Sequence, residues 1–149
     1  MKKILFLATA FVFSLAAMSQ IKADDIIKMN TEKHDFGKIK QNIPAIYYFE
    51  IKNTSDKPVV VENAWGSCGC TTPEVPKEPI LPGTTTKLKV QYSAASLATF
   101  EKVVYIKLAG VDQPKEVKIT GEVLEPAAFD VYVKEKGKEK DKPSKSGGR

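Results

Sequence analysis

Two sulfurs are the atoms in this chain best placed to do chemistry. Cys68 and Cys70 are its only cysteines, and Gly69 alone separates them. In extended backbone, residues i and i+2 point to one face, so the two sulfurs converge. A glycine between them is free to take φ > 0 and tighten the link. A disulfide needs Cα atoms about 4.4–6.8 Å apart. An extended i, i+2 pair lies near the upper edge of that range, so a bridge here is expected to be strained and readily reduced. Three readings stand side by side: a local structural pair with no chemistry, a redox-active or interchain disulfide, and a soft-metal site for copper(I) or zinc, since thiolates suit soft metals. Tetrahedral zinc takes four ligands, and His34, the single histidine, is the other candidate beside Cys68 and Cys70. Trp65, Ser67, Gly69 and Thr71 complete the motif around the pair. Trp65, the only tryptophan, is expected in the core or at its rim.

Catalysis finds little support in the sequence. Hydrolytic chemistry needs a nucleophile, a base and an orienting group within reach, and His34 sits in an Asp/Gly turn with no nucleophile nearby in sequence. A thiol oxidoreductase more usually carries Cys-x-x-Cys at a helix N-terminus, which lowers the thiol pKa; this pair sits among strands. The expectation is a protein that is not an enzyme and holds no cofactor.

The start of the chain bears on the redox question. Met1-Lys2-Lys3 followed by an apolar run through Met18 reads as a secretory signal peptide covering residues 1–19, with residue 23 as the alternative end. The run is too short and too poorly flanked for a membrane span, and with cysteines only at 68 and 70 none is available for an N-terminal lipid anchor. An exported chain, periplasmic or extracellular, meets conditions in which disulfides persist. The net charge of +5 is concentrated at the ends. Residues 134–149 carry seven basic and three acidic side chains, Lys2 and Lys3 supply two more positive charges, and 20–133 is one charge negative. The central part therefore lacks the basic face that nucleic-acid binding requires.

The elements that must position the cysteines are strands. Residues 26–30 and 34–39 read as short strands, and 45–53 as a longer one with Tyr47, Phe49 and Ile51 on one face. Asn53-Thr54-Ser55 matches a glycosylation sequon, but the turn formers through Pro58 make it a turn. Residues 59–65 are β-branched and apolar and run into the cysteine motif. A proline-rich loop follows, with Pro73, Pro76, Pro79 and the turn pair Pro82-Gly83. Residues 86–93, 100–108 and 115–123 alternate well, placing Leu88, Val90 and Tyr92, then Val104, Ile106 and Leu108, then Val117, Ile119 and Val123 inward. Ala94 to Ala98 is expected to form one helical turn. About seven short strands with regular turn signals predict an all-β, immunoglobulin-like sandwich over residues 25–125. Beyond it, Phe129, Val131, Tyr132 and Val133 are expected to add an edge strand. The Lys-rich tail, 134–149, lacks apolar residues and is expected to be disordered.

The residues also resemble a family. Tyr48-Phe49-Glu50-Ile51-Lys52-Asn53-Thr54, the run from Pro58 ending in Ser67-Cys68-Gly69-Cys70-Thr71, Pro82-Gly83 before Leu88-Lys89-Val90, and Ile119-Thr120-Gly121-Glu122-Val123 resemble the domain-of-unknown-function 1573 family of exported bacterial proteins. The resemblance implies an immunoglobulin-like sandwich similar to the sperm-protein and PapD-like groups, and no established activity. Function is then expected to be a non-catalytic binding or scaffold module of the cell envelope, with a protein or envelope component as partner. The alternative is a thiol redox or copper(I)-binding protein using Cys68 and Cys70.

Overall fold

The computed structural model describes residues 21–140. The expected signal peptide, 1–19, and residues 141–149 of the tail lie outside the described residues.

Alternating side chains build most of the architecture. Eight strands form two four-stranded sheets packed face to face: β1 (Ile27–Met29), β2 (Lys33–Lys40), β3 (Ala45–Asn53), β4 (Val61–Gly66), β5 (Thr71–Glu74), β6 (Thr85–Tyr92), β7 (Thr99–Leu108) and β8 (Lys115–Leu124). One sheet has the order β1-β3-β6-β5 and the other β2-β8-β7-β4. Pairing is antiparallel except between β2 and β8, which run parallel. The inward residues read from the sequence are buried: Phe49 and Ile51 from β3, Leu88, Val90 and Tyr92 from β6, Val104, Ile106 and Leu108 from β7, and Val117, Ile119 and Val123 from β8. Fully burying one such side chain stabilises by about 1.5–3 kcal/mol, so these four strands carry most of the core.

Two polar residues lock the ends of this frame. Asn53 is fully buried. Its Nδ2 donates to the Lys57 and Ile80 carbonyls, at 2.7 and 2.8 Å, and its Oδ1 accepts from the Ser55 N–H and hydroxyl. The sequon is thus a side-chain-built turn, as expected. Lys115, at the start of β8, is also buried, and its ammonium bonds Asp24 and Glu32. Asp24 lies in a single helical turn, α1 (Ala23–Ile26), whose Ala23 is buried against the core. The chain entering β1 is thereby tied to β8.

Three expectations need correction. The proline-rich stretch is not all loop: residues 71–74 form β5, an edge strand on β6, where Pro73 loses no central ladder bond. Residues 94–98 are irregular, with bends at 96–98, rather than a helical turn, and Ala94 takes φ 53°, which takes it out of the helical region. The C-terminal segment adds no edge strand: Phe129, Val131, Tyr132 and Val133 lie in a helix, α2 (Pro126–Lys140). Pro126 suits the first helical position, and Ala, Lys and Glu are strong helix formers that need no apolar stripe. Asp130 pairs with Lys40, and Lys38 lies over the Tyr132 ring at 5.0 Å, which docks the helix on β2. Among the described residues no helix is long and apolar enough to cross a membrane.

Candidate functional site

Cys68 and Cys70 lie in the turn that carries the chain from β4, on the edge of one sheet, to β5, on the edge of the other. The backbone there is not extended. The Thr71 N–H donates to the Cys68 carbonyl at 3.1 Å, closing a β-turn. This brings the two Cα atoms to 5.2 Å, well inside the range for a bridge, and the structure joins the pair as a disulfide. Gly69 does not take φ > 0, and a Cβ added to it would meet nothing. The glycine that the turn requires is Gly66, unremarked in the sequence. A Cβ there would lie 2.7 Å from the Thr71 Cβ and closer still to the Thr71 carbonyl oxygen. A glycine inside a strand signals such close backbone approach.

The rest of the motif is held from both sheets. Ser67 donates its N–H to the Val103 carbonyl at 2.8 Å, and its Oγ accepts from the Val103 N–H at 3.1 Å, extending the β4–β7 ladder. On the other side the Ser93 N–H donates to the Cys70 carbonyl at 3.0 Å. Cys70 packs against the core cluster, and both cysteines are half-buried. Thr71 is 4% exposed, and its Oγ1 lies 3.6 Å from the Cys68 sulfur and 3.9 Å from that of Cys70.

Trp65 is not a core residue. It is 40% exposed and stacks on Tyr105 of β7 at 5.5 Å, on the outward face. A bulge between Val61 and Asn63 explains the difference. Val61 faces in; the extra residue shifts the phase, so Ala64 takes the inward position and Trp65 points out.

His34 does not join the cysteines. It lies on β2, at the opposite edge of the sheet from β4, stacked on Tyr47 at 3.6 Å and edge-on to Phe36 at 4.7 Å. Burial lowers its pKa from the ordinary 6.5, against the opposing pull of Asp35. The ligand set Cys68, Cys70 and His34 is therefore not assembled, and among the described residues no group of three or more His, Cys, Asp or Glu could hold a metal ion. A groove of about 560 Å³ runs between Ala23, Glu32, Pro114 and Lys115, away from the motif. In it burial pulls the Lys115 pKa down, but hydrogen bonds and charge from Asp24 and Glu32 outweigh this and raise it above 10.5.

Solved structures share the fold. A protein of unknown function from Porphyromonas gingivalis W83 superposes with a TM-score of 0.56 at 14% identity, over 65% of this chain and 46% of its own, so this chain spans less than half of that protein. The ASH/PapD-like domain of human CEP192 gives 0.52 at 6% identity, over 67% and 86%. The SrpA adhesin of Streptococcus sanguinis gives 0.51 at 10%, over 70% and 59%. At such identities the likeness is one of fold alone. A comparison with functionally curated proteins finds no match. A family model described as "Protein of unknown function (DUF1573)" matches residues 27–123, from β1 to the end of the β8 core, and the chain belongs to that family.

Proposed function

We propose that this chain is an exported, non-catalytic binding module of the cell envelope, and that its binding face is the β4 edge with the adjoining residues 66–83. The observation that carries the reading is the outward Trp65–Tyr105 pair beside a turn held by a disulfide, by Ser67 and by Ser93. Large aromatic rings on a rigid, partly exposed frame provide contact area at low entropic cost, the usual make-up of an interface hot spot. Loops positioned by a sandwich are where such domains carry recognition, and an adhesin shares the architecture. The partner is a protein or another envelope component.

The test is capture from envelope fractions by the purified chain, compared with Trp65→Ala and with Tyr48→Ala, an exposed aromatic on the other sheet. Trp65→Ala should weaken capture about thirtyfold, the cost of truncating a hot-spot residue, while Tyr48→Ala should leave it unchanged. Equal capture by wild type and Trp65→Ala would remove this face from the reading. Export is tested separately: a cytoplasmic chain retaining Met1 would rule it out.

A further inference from the structure

We propose that Cys68–Cys70 is a redox-active disulfide that exchanges with a dithiol of an envelope protein, with Cys68 the attacked sulfur and the Thr71 hydroxyl stabilising the departing thiolate of Cys70. This goes beyond the binding reading and does not depend on it.

The argument begins with approach. A thiolate must attack along the sulfur–sulfur axis, from the side opposite the leaving sulfur. Of the two cysteines, Cys70 is the one packed against the core cluster, with its carbonyl pinned by the Ser93 N–H. Cys68, which is not part of that packing, is therefore the one left for an incoming thiolate to attack. The second element is Thr71. Its side chain is more than nine-tenths buried, and its hydroxyl faces both sulfurs at 3.6 and 3.9 Å. A hydroxyl carries a donor hydrogen. While the bridge is closed, that hydrogen faces only weak sulfur acceptors. Once the bridge opens, it faces a thiolate, and hydrogen bonds to charged groups are about twice as strong as neutral ones. A leaving thiol of lowered pKa departs faster.

The chemistry balances in two steps. A partner thiolate attacks the Cys68 sulfur; a partner–Cys68 bond forms, the Cys68–Cys70 bond breaks, and the electron pair stays on Cys70 as a thiolate. The partner's second thiolate then attacks its own sulfur in the mixed disulfide, which releases Cys68 as a thiolate. The partner loses two electrons and becomes a disulfide. The cysteine pair gains them and becomes a dithiol, taking up the two protons that the partner's thiols gave to water. One chain oxidises one partner, so the step is stoichiometric.

The experiment uses the oxidised, purified chain with dithiothreitol as the dithiol and glutathione as a monothiol, quenched in acid and read by tandem mass spectrometry. Dithiothreitol should open the bridge, and the trapped glutathione adduct should sit on Cys68 with Cys70 free. A bridge that stays closed, or an adduct mainly on Cys70, overturns the proposal. Thr71→Val should slow opening about tenfold, the loss of one hydrogen bond to a charged group, and Thr71→Ser should restore the rate to within twofold. An unchanged rate in Thr71→Val removes the threonine's role. If that variant does not fold, the alkylation pH profile of reduced wild type decides: the Cys70 thiol must titrate below about 8.5, the ordinary cysteine value, and a value at or above it refutes the assignment.

Discussion

Replacing Gly66 by alanine should destabilise the domain, whereas the same change at Gly69, three residues on, should not. A methyl group at Gly66 would sit 2.7 Å from the Thr71 Cβ, nearer still to the Thr71 carbonyl oxygen, and 3.1 Å from the Cys68 carbonyl oxygen. Two of these obstacles are backbone atoms, which no side-chain rotation moves. Thr71 is also fixed: its N–H closes the Cys68 turn, it pairs with Tyr92 on β6, and its side chain is buried. Relief therefore requires the start of β5 to move away from the end of β4. The cost of such overpacking is about 1–3 kcal/mol. For a domain of this size each kcal/mol lowers Tm by about 4–8 °C. At Gly69 an added methyl meets nothing and the backbone is not left-handed, so Gly69→Ala should be neutral or stabilise by up to about 1 kcal/mol through the unfolded chain. Urea and thermal unfolding of both variants, each with the bridge closed, measure the difference. A Gly66→Ala protein within about 0.5 kcal/mol of wild type, the range of ordinary surface changes, would refute the close-packing argument, as would a Gly69→Ala protein that is the less stable of the two.

Three further outcomes are expected. The double variant Cys68→Ser, Cys70→Ser should still fold and lose less than about 2 kcal/mol, because so short a closed loop restricts the unfolded chain little; failure to fold in circular dichroism would make the cysteines part of the core. Lys115→Met should cost about 1–2 kcal/mol at neutral pH through lost charged hydrogen bonds. The folded Lys115 pKa is raised above 10.5, so wild-type stability should fall as pH climbs through that raised value, and chemical unfolding of Lys115→Met should show a smaller alkaline loss. His34 should titrate below 6.5 in proton NMR. Its neutral form is the one favoured in the folded protein, so the domain should lose stability as pH falls from about 6.5 toward the lowered value, and a His34 resonance titrating above 6.5 would contradict its packed, stacked position.

What the sequence makes legible is what period-2 alternation writes. β3, β6, β7 and β8 each place at least three apolar residues on one face, and their buried members make up most of the core. The failures share a cause: each depends on something local that alternation does not carry. β5 is four residues long and contains Pro73, so it reads as loop. α2 forms from backbone propensity and two contacts to β2 rather than from an apolar stripe, and Val131 and Val133 imitate a strand. Trp65 follows an apolar run, but one bulged residue turns it outward. In the motif, Cys68 and Cys70 are plain as a pair, whereas the turn that joins them is set by Gly66 against Thr71, a contact between two strands of different sheets. The separation of His34 from the cysteines follows from strand order, which no local pattern records.

Asn53 sets a condition on where this chain can be made. The nitrogen to which a glycan would be joined is already committed to the carbonyls of Lys57 and Ile80, inside a residue with no exposed surface. The finished domain is therefore no substrate for glycosylation at this sequon. A chain threaded into a eukaryotic secretory pathway meets the transferase before β6 has arrived to cover that position. A sugar attached then would replace one of the two Nδ2 hydrogens, and so one of the two hydrogen bonds, and would have to fit where the asparagine has no exposed surface, hindering closure of the sandwich around Ile80. Substituting Asn53 to erase the sequon would remove the same two bonds, so the remedy lies at Ser55, where alanine abolishes the acceptor signal and leaves the asparagine's donors in place.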